Sequence, residues 1–182
     1  MLNFHLSLND GAVFGSFTGQ VWLFVAASVF ALAFVMVLFL RSHRSQWVTQ
    51  VALALVLAGA IGNLYDRIYM QADVVSFTDD NGVRRSVIGR VTEQSERYIR
   101  VGEWPDGEGS VQLVPADADP AIRTQGVVRD FIRFMPSFPS WFPFFGGREV
   151  WPWVFNVADA ALVTGVIILF LVSWMTRPEE SD

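Results

Sequence analysis

Three long runs of apolar residues dominate the hydrophobicity pattern, and each is long enough to cross a membrane as a helix. Val21–Leu40 contains no charged residue, and a helix of this length, at about 1.5 Å per residue, spans the roughly 30 Å of a bilayer's hydrocarbon layer. Trp47–Tyr65 and Val154–Trp174 are the other two runs. A buried helix of a soluble protein is the alternative for any one of them, but three in one short chain favour a membrane protein. The sequence therefore predicts three transmembrane helices.

The charges between the apolar runs predict an orientation in the membrane. Residues 41–46 form a short loop that holds two Arg and one His, and basic loops stay in the cytoplasm. Residues 65–153 are then expected on the outer side, and the tail after residue 176 in the cytoplasm. The same logic places residues 1–20 outside, although no signal peptide precedes them. We therefore expect an upstream helix to be missing, through a misplaced start or a truncated sequence; a three-helix protein with an external N-terminus is the alternative.

Residues 71–125 differ in composition from the rest of the chain and predict a small β-rich insert outside the membrane. Ten of the 18 acidic residues lie here, together with six Arg. Turn signals at Asp80-Asn81-Gly82 and Pro105-Asp106-Gly107 separate short β-prone stretches. A flexible linker is the alternative. The stretches are Asp73–Thr78, Val83–Thr92, Tyr98–Gly102 and Ser110–Val114.

Residues 131–155 are unusually aromatic and lead into the last apolar run. Ten of these residues are aromatic and four are Pro, a density of Pro that excludes a long helix. Because Trp and Tyr favour the headgroup region of a bilayer, we expect an aromatic belt along the outer surface; a substrate groove built from the same side chains is compatible with it.

These patterns divide the chain into three parts. Residues 1–70 hold an external N-terminal segment and two helices, residues 71–125 form the insert, and residues 126–182 hold the aromatic segment, the last helix and a cytoplasmic tail.

The overall composition narrows the possible functions. Hydrophobic residues make up 52% of the 182 residues and charged residues 17%, with a mean hydropathy of +0.37, which supports a membrane protein. Cys is absent, which excludes disulfides, thiolate metal sites and a Cys nucleophile. Lys is also absent, which excludes a Ser/Lys dyad, a Schiff-base lysine and a P-loop lysine. The net charge of -5 argues against a nucleic-acid partner, since phosphate binding needs a basic patch.

Several polar side chains fall at membrane depth, where a charged group is costly. Unpaired they would be penalised, whereas a cluster can satisfy its own hydrogen bonds or perform chemistry. Six of them are expected at one level near the outer surface: Asn63, Asp66 and Arg67 at the end of the second run, Asn156 and Asp159 on one helical face at the start of the third, and Asp130 where the chain returns to the membrane.

Each of these residues also has a purely structural interpretation. Asp66 beside Arg67 is most simply an ion pair or a hydrogen-bonding group at a helix end, and Arg129 offers Asp130 a solvated pair of the same kind. The two asparagines are typical of hydrogen bonds within a helix bundle, which need not exclude contact with a substrate. Asp159 has no cation beside it in the sequence, so its structural interpretation is the weaker one.

The carboxylates indicate a hydrolytic chemistry. Two facing carboxylates in a low-dielectric pocket cannot easily both ionise, so they share one proton. The ionised member can take a proton from water while the protonated member donates to a carbonyl oxygen or leaving amine, as in aspartic peptide hydrolysis. Other intramembrane protease chemistries lack support: the sequence has no HExxH zinc motif and no GxGD pattern, and His5 and His43 are expected on opposite sides of the membrane. No metal or organic cofactor is implied, because two carboxylates and a water suffice.

Four short motifs resemble those of the bacterial lipoprotein signal peptidase (signal peptidase II) family. Each motif alone is weak, but four in the family's order are a strong signal. The resemblance covers residues 3–173 apart from 71–125. In chain order the motifs are Asn9–Phe14, similar to NxGAAF with Val13 for one Ala; Gly62–Arg67, similar to the GNxxDR box; Val128–Ile132, similar to VxDF; and Phe155–Ala160, similar to FNxADA.

The resemblance implies an intramembrane aspartic endopeptidase that removes signal peptides from diacylglyceryl-modified prolipoproteins, cutting just before the lipidated Cys. It implies a multi-pass protein of the bacterial cytoplasmic (inner) membrane, with its active site near the outer face. Lipid-modified prolipoprotein signal peptides and membrane lipids are the implied partners; the oligomeric state stays open, with a monomer expected. Catalysis is assigned to Asp130 and Asp159, and a supporting role in the pocket to Asn9, Asn63, Asp66, Arg67 and Asn156.

The expected fold is an all-α polytopic membrane protein with a small β-rich extracytoplasmic insert. It would show three of the family's four transmembrane helices, because the family's first helix, which precedes the NxGAAF segment, is absent. The insert is long, whereas the corresponding stretch in the family is short.

Two other functions stay open. A proton- or ion-handling membrane subunit would use Asp66 and Asp159 as a relay, and a lipoprotein-binding homologue would have lost catalysis with the first helix.

Overall fold

The computed structural model describes residues 2–11 and 21–176, with the backbone alone over 21–24. Its helices are α1 (Val21–Arg41), α2 (Trp47–Tyr69) and α3 (Val157–Met175). A short 3₁₀ turn covers Ala116–Ala118. The strands are β1 (Leu2–Asn9), β2 (Gln71–Thr78), β3 (Arg84–Gln94), β4 (Tyr98–Gly102), β5 (Val111–Pro115), β6 (Ala121–Gly126), β7 (Val128–Phe134) and β8 (Val154–Phe155).

The described residues divide into two compact units. The helical unit comprises 2–7, 25–64 and 130–176, and the sheet unit comprises 8–11, 21–24 and 65–129. The predicted cytoplasmic tail and the Ala12–Phe14 part of the first motif lie outside the described residues.

The expectation of an all-α protein is wrong, because strands make up 33% of the structure. One of the two sheets has three strands in the order β1-β7-β8. In β1, Leu2, Phe4 and Leu6 alternate with polar residues, and this period of two is the pattern of a strand. The stretch around Asp130, interpreted as the chain returning to the membrane, is strand β7.

The helices match the three apolar runs of the sequence. Among the described residues, α2 and α3 are long and apolar enough to cross a membrane. The part of α1 whose side chains are described, Val25–Arg41, is apolar but shorter. Within the described residues, two of the three expected transmembrane helices are therefore candidate membrane spans.

The sheet unit contains an antiparallel sheet with the strand order β5-β4-β3-β2-β6. The four β-prone stretches of the sequence are strands at these positions, and they replace the alternative of a flexible linker. Strand β6 returns to the outer edge of β2, so Val75 lies opposite both Val87 and Ile122. The buried core of this sheet consists of Val75, Ile99, Val101 and Val114.

Candidate active site

Helix α3 begins with a reciprocal capping interaction between Asn156 and Asp159. Asn156 Oδ1 accepts a hydrogen bond from the backbone N–H of Asp159 at 2.9 Å, and Asp159 Oδ2 accepts one from the backbone N–H of Asn156 at 3.1 Å. Such a capping box satisfies two of the amide groups that the start of a helix leaves unpaired. The spacing of these two residues therefore has a structural role, and it also fixes the position of both side chains.

Asn63 of α2 joins this pair because α2 and α3 pack very closely. A Cβ added at Gly62 would lie 2.9 Å from the Cβ of Ala158, and one added at Gly59 would overlap the carbonyl oxygen of the same alanine. Small residues allow two helix backbones to approach in this way. Asn63, the next residue after Gly62, donates from Nδ2 to Asp159 Oδ1 at 2.7 Å.

We expect Gly59→Val to push α2 away from α3 and to lower the stability of the protein. The valine has no space against the α3 backbone, and overpacking of this kind costs about 1–3 kcal/mol. Ala58→Val is the matched control, since Ala58 is exposed on the same helix. The midpoint of thermal unfolding in one detergent compares the two variants. Equal midpoints for both would show that the glycine contact does not hold the helices together.

Asp130 reaches the same group of side chains from strand β7. The Nδ2 atom of Asn156 donates to Asp130 Oδ1 at 2.8 Å and to Asn63 Oδ1 at 3.1 Å. Asp130 and Asn156 are only 4% and 5% exposed. Asn156 therefore contacts both carboxyl groups, Asp130 through its side-chain amide and Asp159 through its backbone N–H. We call Asn63, Asp130, Asn156 and Asp159 the carboxyl–amide cluster.

An apolar pocket of about 320 Å³ lies beside the cluster, with Asp159 in its wall. Asp159 is half-buried, and the surface that the pocket presents is apolar. Apolar pockets of this size are typical sites for apolar ligands. The remaining lining residues come from β7, α3 and the segment before α3: Phe134, Val150, Trp151, Phe155, Ala160 and Val163.

Asp66 lies in the sheet unit, where it forms a bidentate ion pair with Arg129. Arg129 Nη2 donates to Asp66 Oδ1 at 2.7 Å, and Arg129 Nε donates to Oδ2 at 3.2 Å. The backbone N–H of Arg129 adds a third hydrogen bond to Oδ2 at 3.0 Å. The side-chain hydrogen bond to Asp66 raises the pKa of Arg129 above its ordinary value. Asp66 thus fixes the residue that immediately precedes Asp130 in the chain.

This ion pair is not one that the sequence interpretation offered, which placed Arg67 with Asp66 and Arg129 with Asp130. Consecutive residues of a helix do not face each other, and consecutive residues of a strand point to opposite faces. Asp66 and Arg67 are consecutive in α2, and Arg129 and Asp130 are consecutive in β7. The sequence interpretation therefore missed Arg129 as the partner of Asp66. The alternation of side chains along a strand at β7 was the available signal, because it places Arg129 and Asp130 on opposite faces.

We expect Arg129→Gln to destabilise the protein by about 1–3 kcal/mol, because it leaves the buried Asp66 carboxylate without its charged partner. Arg133→Gln is the matched control, since Arg133 pairs with Glu149 in a more exposed setting, where an ion pair contributes about 0–1 kcal/mol. Thermal unfolding of both variants measures the difference. Adding Asp66→Asn to Arg129→Gln should recover part of the loss. If the double variant shows no such recovery, the two effects are independent and the ion pair is not their cause.

Asn9 and Arg67 meet at a turn in the sheet unit. Asn9 Oδ1 accepts a hydrogen bond from the backbone N–H of Gly11 at 2.8 Å, and Gly11 has a φ of 79°, which favours glycine. A Cβ at Gly11 would lie 2.7 Å from Arg67 Nη1, so the guanidinium of Arg67 lies directly against this turn. Within the described residues, no group of three or more His, Asp or Glu side chains is arranged to hold a metal ion.

The structure therefore distributes the seven candidate residues over three sets of contacts. Asn63, Asp130, Asn156 and Asp159 form the carboxyl–amide cluster of the helical unit. In the sheet unit, Asp66 binds Arg129, and Asn9 and Arg67 contact the turn at Gly11.

Comparison with known proteins gives one consistent family. The signal peptidase (SPase) II family matches residues 1–175 of the chain. A lipoprotein signal peptidase of Desulfitobacterium hafniense (strain DSM 10664 / DCB-2) is 25% identical over 179 residues, covering 97% of this chain and 73% of that protein. A lipoprotein signal peptidase of Rhodopirellula baltica is 31% identical over 171 residues, covering 92% of this chain and 52% of that protein.

A solved structure shares the fold. It is described as a bacterial membrane enzyme determined by the in meso method at 1.9 Å resolution. Its sequence is 21% identical, with a TM-score of 0.54 over 97% of this chain and 71% of that chain. At this level of identity the likeness concerns the fold alone.

Proposed function

We propose that this chain, which belongs to the signal peptidase II family, hydrolyses its substrates with Asp130 and Asp159 as a catalytic pair. Membership of the family makes the chain a membrane protease that processes the signal peptides of lipoproteins. One observation carries the proposal for the pair. Asn156 donates to Asp130 Oδ1 at 2.8 Å through its side chain and to Asp159 Oδ2 at 3.1 Å through its backbone, so a single residue links the two acids.

In the proposed reaction the two acids share one proton, so that one acts as a general base and the other as a general acid. The ionised carboxylate removes a proton from a water molecule, whose oxygen attacks the carbonyl carbon of the scissile peptide bond. The protonated acid donates its proton to the carbonyl oxygen, which gives a neutral tetrahedral intermediate. When the C–N bond breaks, the proton taken from water passes to the leaving amine, and the hydroxyl proton returns to the acid pair.

The amides of the cluster are proposed to hold the two acids in place. Asn63 and Asn156 supply N–H donors to carboxylate oxygens, and fixed donors reduce the motion of the reacting groups. Asp66 and Arg67 are proposed as supporting residues, as is Asn9, although their contacts lie in the sheet unit. Their support would act on strand β7 through Arg129 and on the turn at Gly11.

The proposed substrate is a diacylglyceryl-modified prolipoprotein, cut immediately before the lipidated cysteine. An apolar pocket next to Asp159 suits an apolar part of such a substrate. We further propose that the chain works as a monomer in contact with membrane lipids of the bacterial cytoplasmic membrane. Its site would lie near the outer face, with residues 71–125 outside the membrane.

The test is cleavage of a purified prolipoprotein by the chain in lipid bilayers. Mass spectrometry of the products locates the cut, which should fall directly before the lipidated cysteine. The same precursor without its diacylglyceryl group is the control and should be cleaved much more slowly. Cleavage at another bond, or equal cleavage of both precursors, would refute the proposed specificity. Absence of cleavage combined with binding of the lipidated precursor would indicate a binding homologue instead.

A further inference from the structure

Residues 137–149 form a closed loop in the helical unit, between β7 and β8, which we call the aromatic loop. The first and last residues of the loop form an antiparallel bridge, and the backbone N–H of Phe138 donates to the carbonyl oxygen of Arg148 at 2.9 Å. Arg133 Nη2 forms an ion pair with Glu149 Oε1 at 2.8 Å. Backbone hydrogen bonds and an ion pair therefore close the loop at its base.

The middle of the aromatic loop exposes large aromatic side chains. Residues 138–147 include five aromatic residues and no charged residue. Trp141 is 78% exposed and Phe144 is 93% exposed. Phe138 packs against Phe142 inside the loop with their ring centroids 5.3 Å apart. An exposed apolar surface of this kind marks a site of contact with another molecule.

The backbone of Phe144 supports the same conclusion. Its φ is 65°, a left-handed conformation that is unusual for a bulky side chain. Such strain is found where a function requires it. Backbone hydrogen bonds hold this turn, from the N–H of Phe145 to the carbonyl oxygen of Pro143 at 2.9 Å and from the N–H of Gly146 to that of Phe142 at 3.0 Å, and they present the Phe144 side chain almost fully exposed.

The position of the loop in the chain indicates what covers it. Helix α3, one of the two helices able to cross a membrane, begins at Val157, a short distance after the loop. The base of the loop therefore lies near the point where the chain enters the membrane. Trp and other aromatic side chains favour this interface, and basic side chains attract anionic headgroups. The aromatic loop follows this distribution, with an uncharged tip and with Arg148 at its base beside the ion pair of Arg133 with Glu149.

We propose that the aromatic loop inserts its tip, residues 141–145, into the boundary between lipid headgroups and acyl chains beside α3. The base of the loop adjoins Phe134, Val150 and Trp151, which line the apolar pocket next to Asp159. Insertion of the tip holds this wall of the pocket at the lipid surface. The loop is in this way a membrane anchor for one side of the pocket, a role separate from the acid pair.

The absence of cysteine from the chain allows a direct test with single-cysteine variants. Phe144→Cys, labelled with an environment-sensitive fluorophore, is reconstituted into phosphatidylcholine–phosphatidylglycerol vesicles. The label should emit at shorter wavelength than in water, should be quenched by nitroxide lipids, and should be protected from aqueous iodide. Ser137→Cys at the loop base should show weaker lipid quenching, and Asn81→Cys, at an exposed turn of the sheet unit, should be quenched by iodide alone.

Three outcomes would overturn the proposal. Iodide quenching at position 144 equal to that at position 81 would show that the tip lies in water. A blue shift that grows with the protein-to-lipid ratio would assign the tip to a second copy of the chain. A blue shift that appears only after a lipidated precursor is added would assign it to the substrate. The readout does not require catalysis, so it stays informative even if the assignment of the acid pair fails.

Discussion

Replacing either Asp130 or Asp159 with asparagine is expected to abolish cleavage of the lipidated precursor. Asparagine keeps the size of the side chain but neither takes a proton from water nor donates one to the substrate as a carboxylic acid does. Loss of general acid–base catalysis costs about 10²–10⁴-fold in rate. Because the two acids act as a unit, the double variant should be no slower than the slower single variant. The measurement is the rate of product formation per enzyme in lipid bilayers, followed by mass spectrometry.

The matched control is Asp117→Asn, which makes the same chemical change at an exposed position of the insert. It should cleave at the rate of the parent chain. Equal thermal stability of the parent, the control and the two active-site variants would show that lost activity is not lost folding. Normal cleavage by either Asp130→Asn or Asp159→Asn would remove that residue from the catalytic pair.

The sequence predicted the helices better than it predicted the fold class. Long apolar runs and turn signals are local features, so the helices at Val21 and Trp47 begin where the pattern indicates. The last helix begins three residues later than its apolar run, at Val157, because Asn156 caps it. The all-α class failed because strands such as β1, β6 and β7 depend on partners far along the chain. Strand propensity depends on such cross-strand partners more than helix propensity depends on distant residues.

In the candidate site, too, the sequence predicted features that depend on neighbouring residues and missed a contact between residues far apart in the chain. The motifs identified the family, and that prediction is confirmed by the match over residues 1–175. The spacing of Asn156 and Asp159 predicted a shared helical face, and the structure joins them in a capping box. Ion pairs proposed between neighbours failed for Asp66, whose partner Arg129 lies 63 positions away. Which residues pair across that separation depends on the tertiary structure, and the spacing of residues along the sequence does not show it.

The family match disfavours the alternative of an ion relay through Asp66 and Asp159. Arg129 contacts both carboxylate oxygens of Asp66, whereas Asn63 and Asn156 contact those of Asp159. The two acids thus have different hydrogen-bond partners. Membership of a protease family favours proteolysis over ion handling for this chain.

Asn156→Ala is expected to lower both stability and activity, because the alanine lacks the side-chain contacts of Asn156 with Asp130, Asn63 and the backbone of Asp159. Loss of the helix cap alone costs about 0.5–2 kcal/mol. Small displacements of reacting groups reduce rates by as much as about 10²-fold, so the loss of activity should exceed what the stability change explains. Thermal unfolding and precursor cleavage in bilayers measure the two effects.

Asn156→Ser separates the two roles of this residue. Serine is as good a helix cap as asparagine, so its hydroxyl should restore the bond to the backbone of Asp159 and with it the stability. Its side chain is shorter and has no amide, so it does not replace the donor that contacts Asp130 at 2.8 Å. We therefore expect a stable protein with low activity. If Asn156→Ser regains both properties, Asn156 serves only as a helix cap, and the link between the two acids is not needed for cleavage.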